Sequence, residues 1–180
     1  MAAIQVVVDF MTLSMIPLCK MNELILACTG HRSDKLGGYN PEAIKKLDDF
    51  VFVTLPLYQP SKVILGMALG FDQAVAKACV KHTIPFIAAI PFEGQEIKWP
   101  KASQLLYLEL LEKSSELVIV CEGGYAPWKM QKRNEWMCDH ATALLSLWNG
   151  SSGGTGNCVK YAEKKDMSVY PLWKEWEKYV

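Results

Sequence analysis

The chain has 180 residues, of which 51% are apolar and 21% charged, the balance of an ordinary globular domain with enough chain for one real core. Lys+Arg and Asp+Glu stand at 19 each, so the formal net charge is zero. That argues against a dedicated polyanion binder such as a duplex-DNA protein and leaves room only for a local basic patch. The six cysteines (Cys19, Cys28, Cys79, Cys121, Cys138 and Cys158) form no C-x-x-C pair, so no metal site is expected. Cys28 and Cys121 fall in strand-like apolar runs and read as buried thiols, which suits a reducing, cytoplasmic compartment.

Residues 1–20 are apolar in patches but begin with no basic segment, and Asp9 and Pro17 interrupt them. They fit neither a signal peptide nor a membrane span. The expectation is an N-terminal extension over 1–20 ahead of a single domain over 21–180, with no membrane contact.

Residues 24–28 form a short continuous apolar run, the pattern of a central parallel strand, which ends in Thr29, Gly30, His31 and Arg32. Pro41 opens a helix with Asn40 as N-cap, and Ile44, Leu47, Val51 and Leu55 form its apolar face. Residues 62–66 are the second strand, 67–70 a turn, and Phe71, Ala74, Val75, Ala78 and Cys79 follow the spacing of a helix packed on a sheet. A third strand is predicted over 85–90, a helix over 101–113, a fourth strand over 117–121, a helix around 130–141 and a fifth strand over 143–148. A glycine-rich stretch over 149–157 leads to a helix over 158–165, a last strand over 168–172 and a short amphipathic tail.

Strands alternate with helices throughout. This implies right-handed crossovers and one doubly wound α/β domain, a mainly parallel sheet with helices on both faces. Ligands in such sheets sit beyond the carboxyl ends of the strands, near the point where strand order reverses. The informative residues therefore lie at 29–32, 66–72, 122–125 and 149–157.

The last of these carries the most chemistry. Gly150, Gly153, Gly154 and Gly156, with Ser151, Ser152 and Thr155 among them, stand at a strand-to-helix junction. Glycines let backbone approach an oxyanion, the helix N-terminus points free N–H groups at it, and hydroxyls add hydrogen bonds. A flexible surface loop with a helix cap has the same composition, so the companion strand ends decide. At the first, Gly30 permits close approach, Arg32 offers a fork of donors for phosphate or carboxylate, and His31 can donate to phosphate or move a proton. At the second, the small residues Gly66, Ala68 and Gly70 leave room beside the backbone, while Asp72 either favours the helix dipole or binds a ribose hydroxyl. Arg133 is placed to reach over the glycine loop to a phosphate, and Glu135 is a candidate base that reads equally as a solvated helix charge. The aromatic tail reads as a lid over a base, as core or as a dimer contact.

These motifs resemble a known superfamily. Gly66 to Asp72 is similar to the G-x-A-x-G-x-D segment of DprA-like proteins. The Met130–Met137 segment followed by Gly153, Gly154 and Thr155 resembles the Arg-bearing helix and P-G-G-x-G-T-x-x-E loop of the Lonely guy (LOG) phosphoribohydrolases. Thr29 to Arg32 is similar to the opening of small YpsA-like proteins. All belong to the SLOG superfamily of Rossmann-like nucleotide binders. The resemblance implies a nucleotide-derived ligand in the glycine-loop pocket, no separate cofactor, and a homo-oligomer, a dimer or higher. LOG enzymes cleave the N-glycosidic bond of nucleoside monophosphates with an Arg matching Arg133 and a loop glutamate. Here Ser152 stands where the pattern has Pro, Asn157 where it has Thr, and Val159 and Lys160 where it has glutamates. Cleavage needs a carboxylate beside the ribose, which leaves Glu122, Glu135 or Asp72 as substitutes.

Two functions remain at this point. One is a module that binds a nucleotide, cyclic nucleotide or ADP-ribose-like signal at Thr29, Gly30, His31, Arg32, Gly66, Ala68, Gly70, Asp72, Arg133, Ser152, Gly153, Gly154, Thr155 and Asn157, as sensor or sequestering protein. The other is an N-glycosidase with a relocated acid at Glu135 or Glu122. Single-stranded nucleic-acid binding follows by analogy with DprA-like proteins, and the neutral charge argues against it.

Overall fold

Strands and helices alternate along residues 23–180, the part of the chain that the computed structural model describes. The expected extension over 1–20, and Cys19 within it, lie outside the described residues. In chain order the elements are β1 (Ile25–Gly30), α1 (Pro41–Thr54), β2 (Lys62–Leu65), α2 (Phe71–His82), β3 (Phe86–Ile90), α3 (Lys101–Glu112), β4 (Glu116–Ile119), α4 (Pro127–Asp139), β5 (Ala143–Leu147), α5 (Gly154–Lys164), β6 (Ser168–Pro171) and α6 (Trp173–Tyr179). Two 3-10 turns, Ser33–Lys35 and Leu55–Tyr58, fill the connections around α1.

The sheet has six strands in the order β4-β3-β2-β1-β5-β6, and every neighbouring pair is parallel. The chain runs outward from β1 to β4, then crosses back to start again at β5 on the other side of β1. The reversal therefore falls between β1 and β5, whose register runs from Leu26 opposite Ala143 to Gly30 opposite Leu147. Right-handed crossovers taken in opposite directions put helices on opposite faces. Phe50 and Val51 of α1, Val75 and Cys79 of α2, Tyr107 and Leu110 of α3 and Trp176 of α6 bury one face. Met137 and Cys138 of α4 and Cys158, Val159 and Ala162 of α5 bury the other.

Local signals were reliable where the backbone chemistry is local. Asn40 caps α1, its Oδ1 accepting from the Ala43 N–H at 2.9 Å, with Pro41 as first helical residue. Three expectations are corrected. Helix α5 begins at Gly154, inside the glycine stretch and not at Cys158, so Thr155 and Asn157 belong to its first turn. Helix α4 begins at Pro127, ahead of Met130, because proline fits the first helical turn, where no N–H is required. Cys121, read as a buried thiol, is only half-buried, because it follows a strand at the sheet edge, where Leu117 is 48% and Ile119 41% exposed. The tail is core and not a lid, since Trp176 is buried edge-on to Phe50 at 5.2 Å between ring centres. Among the described residues, no helix is long and apolar enough to cross a membrane.

Candidate functional site

At the reversal point the ends of β1 and β5 are tied together by side chains. The strand pairing runs on into His31, whose N–H donates to the Leu147 carbonyl at 3.1 Å. Thr155 Oγ1 donates to the Gly30 carbonyl at 2.9 Å. His31 Nε2 lies 2.7 Å from Asn149 Oδ1, and in its Nε2–H tautomer the ring donates to that oxygen, which also accepts the Ser151 N–H at 3.0 Å. Lys35 Nζ donates to Ser151 Oγ at 2.8 Å. The His31-Arg32 turn and the Gly-Gly-Thr turn therefore share one rim, as the sequence reading required.

Two of the expected ligand groups also brace the rim. The His31 ring is only 5% exposed, its pKa is held below 6.5 chiefly by burial, and its Nε2 is engaged by Asn149. The Thr155 hydroxyl is committed to Gly30. What remains open is the backbone. Gly153 sits at φ +141°, a conformation that favours glycine, and a Cβ placed on Gly153 or Gly154 would meet nothing within 4 Å. No side chain crowds the Gly153-Gly154 turn where α5 begins, and the first amides of a helix have no partner within it, the arrangement that accepts an anion.

The floor of the site is built by three residues from three elements. Arg133, on α4, is 8% exposed, and its guanidinium lies against the end of β2. It can do so only because residue 66 is glycine: a Cβ there would stand 1.4 Å from Arg133 Nη1. Gly66 therefore makes room for an arginine, not for ligand as its small size had implied. Arg133 Nε donates to Asn134 Oδ1 at 3.1 Å, and Asn134 Nδ2 in turn donates to the Gly154 carbonyl at 3.1 Å. Arg133 Nη1 is buried with no hydrogen-bond partner, 4.0 Å from Asp72 Oδ2. Asp72 is itself buried, and desolvation raises its pKa from 3.8 to about 6, against the lowering effects of Arg133, the Ala68 N–H and Arg32. A buried guanidinium N–H without a hydrogen-bond acceptor is costly, and the Asp72 carboxylate 4.0 Å away offsets that cost in part.

These groups enclose a cavity of about 360 Å³. Of the residues expected there, Thr29, Gly30, His31, Arg32, Ala68, Asp72, Arg133, Ser152, Gly153, Gly154 and Thr155 line it. Gly66, Gly70 and Asn157 do not. Gly70 instead lets α2 start hard against the β1 turn, where a Cβ would meet the Ser33 nitrogen at 2.7 Å. Asn157 points its backbone into α5, donating to Gly153 at 2.9 Å. Neither proposed catalytic glutamate reaches the cavity. Glu135 pairs with Lys132 at 3.0 Å, which with Gln131 holds its carboxyl below the usual range. Glu122 lies in the loop that the buried Lys129 pins by donating to the carbonyls of residues 122, 123 and 124. The cavity also includes Asp34, Lys35, Met130 and Asn134, which sequence reasoning did not single out. Asn134 carried the one available signal, its place beside Arg133. Three cations (Arg32, Lys35, Arg133) against two carboxylates (Asp34, Asp72) line the cavity, and the α5 terminus adds to its positive character.

Solved structures similar to this chain share its fold at low identity. DNA processing protein A from Streptococcus pneumoniae matches with a TM-score of 0.59 and 17% identity over 82% of this chain, which spans 50% of that protein. The Helicobacter pylori counterpart, described for its single-stranded DNA binding mode, matches with a TM-score of 0.59 and 14% identity over 83% of this chain and 65% of its own. The structural-genomics target TM1055 gives a TM-score of 0.54 and 16% identity over 81% of this chain and 72% of its own. With a single-stranded DNA binder among these neighbours, the argument against nucleic acid from neutral charge is left without support. In sequence, the chain is 36% identical over 155 residues, 75% of this chain and 90% of the relative, to the uncharacterized SPbeta prophage-derived protein YoqJ of Bacillus subtilis (strain 168). The model of the YspA SLOG family (YpsA) matches residues 26–173. The chain therefore belongs to the YpsA family of SLOG proteins, with the Rossmann-like α/β fold that its strand order and its neighbours share.

Proposed function

We propose that the cavity between β1 and β5 binds the phosphate of a nucleotide or nucleotide-derived signal, such as a cyclic nucleotide or an ADP-ribose-like molecule, as a sensor or sequestering protein. The observation that carries this reading is a cavity lined by Arg32, Lys35 and Arg133 together with the start of α5, where no side chain crowds Gly153 or Gly154. Helix amides and guanidinium together suit a phosphate oxyanion. The family and the fold support a nucleotide-related function in general. The free cysteines among the described residues suit a reducing cytoplasm.

The test is thermal stabilisation by a panel of nucleotides, cyclic nucleotides, ADP-ribose derivatives and a short single-stranded oligonucleotide. At least one small ligand is expected to raise the Tm of the wild type, and Arg32→Ala or Gly154→Asp to abolish the shift. A wild type indifferent to every small ligand refutes the reading, and a response to the oligonucleotide alone replaces it with strand binding. Asp72 favours a second reading, because it is the one candidate carboxylate that lines the cavity and its pKa of about 6 suits proton transfer near neutrality. Release of free base from a nucleoside monophosphate, lost in Asp72→Asn, is the result that converts the binding module into an N-glycosidase.

A further inference from the structure

A second cavity opens beside the first. It lies between the start of α1 and α6 and holds about 440 Å³, against about 360 Å³ for the ligand cavity. Both volumes fall in the range of about 300–1,000 Å³ common for small-molecule sites. The two cavities share parts. Lys35 lines both, and its Nζ donates to Ser151 Oγ of the glycine turn at 2.8 Å. Trp173 lines the second cavity and stands edge-on to His31, a wall of the first, with ring centres 5.8 Å apart. One lysine side chain and one His-Trp contact therefore stand between them. We propose that the second cavity is the nucleobase subsite of the ligand whose phosphate occupies the first. This rests on the phosphate reading above and adds the part of the ligand which that reading leaves open.

The chemistry of the walls sets the occupant. Lys35 and Lys46 stand against Glu42 and Glu177, so the second cavity has no excess of positive charge to draw in a phosphate or carboxylate. The start of α1 adds little for an anion, because Pro41 has no N–H and the Ala43 N–H is capped by Asn40. Both points reverse the first cavity, where cations outnumber carboxylates and the α5 turn is uncrowded. An uncharged group with apolar faces and a polar edge is the complement. Trp173, Trp176 and Ala43 supply the apolar surface, and indole rings pack well against a flat heterocycle. Asn40 lines the cavity too. Its Oδ1 accepts the Ala43 N–H, which fixes the amide and leaves Nδ2 to donate to a ring nitrogen, while the two glutamates are acceptors for an exocyclic amino group. Adenine carries both. Lys35 is exposed, so its bond to Ser151 is a surface contact that breaks at little cost and lets a sugar pass from one cavity to the other.

Calorimetric titration of the full chain with AMP and with ribose 5-phosphate, which has the phosphate and sugar but no base, tests this. AMP is expected to bind the wild type more tightly by about tenfold or more, the contribution of one stacked base. Ala43→Leu fills the second cavity from a position whose backbone alone serves the Asn40 cap, and Trp173→Ala removes a wall. Both are expected to bring AMP down to the affinity of ribose 5-phosphate. Because Trp173→Ala also removes a contact of His31, Ala43→Leu decides, and it is expected to leave ribose 5-phosphate binding unchanged. Equal binding of the two ligands by the wild type, or an AMP preference that survives Ala43→Leu, overturns the base subsite and leaves the phosphate reading standing. Binding of neither ligand overturns the base subsite through the reading on which it rests.

Discussion

Replacing Asp72 by asparagine isolates the cost of keeping a charge at the floor of the cavity. Asp72 is 5% exposed, and burial lifts its pKa from 3.8 to about 6. In the folded protein the carboxyl holds its proton over a pH range where the unfolded chain has lost it. The folded state therefore binds more protons between about pH 4 and 6, and stability falls as pH rises through that window, then levels off. Two pKa units at ~1.4 kcal/mol each place the cost of ionised Asp72 at about 3 kcal/mol at pH 7. The asparagine side chain never ionises, so Asp72→Asn is expected to be more stable than wild type by that amount at pH 7 and equal to it near pH 4. For a domain of this size the gain is roughly 6–12 °C in Tm. The assay is urea unfolding of both proteins from pH 4 to 7.5, read as the difference between them. His31 acts with the opposite sign, since its lowered pKa withdraws stability as pH falls below 6.5, but it is present in both proteins and cancels. A difference that is flat across the range, or a variant less stable at pH 7, refutes the reasoning.

Gly66→Ala is expected to lose ligand-dependent stabilisation and about 1–3 kcal/mol of stability, because its Cβ would occupy the space of the Arg133 guanidinium; an unchanged ligand shift would remove Arg133 from the site. Lys129→Met removes three hydrogen bonds to the carbonyls of residues 122–124 from a buried ammonium. It is expected to cost about 2–4 kcal/mol and to speed amide exchange in the loop after β4, with ligand stabilisation retained because that loop does not line the cavity.

Much of the fold was legible in the sequence because its causes are local. Short apolar runs, the Asn40-Pro41 cap and the helical spacing of Phe71 to Cys79 each report on a few neighbouring residues, and their alternation implies a doubly wound sheet. The convergence of strand ends 29–32 and 149–157 was legible for the same reason, since first-strand and switch-point loops meet in every sheet of this topology. The role of Gly66 was not, because the arginine it accommodates lies 67 positions further along the chain. Likewise, nothing in the sequence distinguishes Asp72 from Glu135 as a buried acid. Burial depends on what packs around the side chain, and α4 turns Glu135 toward Lys132 while α2 turns Asp72 inward.

Taken by itself, the sequence determined which segments are strands and helices, that they alternate, and that glycines gather where a strand gives way to a helix. Those properties follow from backbone preference and side-chain period, which act within a few residues. Tertiary structure alone decided that β4 is an edge, that His31 and Thr155 hold the rim together, and that Arg133 lies buried beside Asp72. Each of these depends on partners distant in the chain, whose approach is set by the crossovers and not by any local pattern.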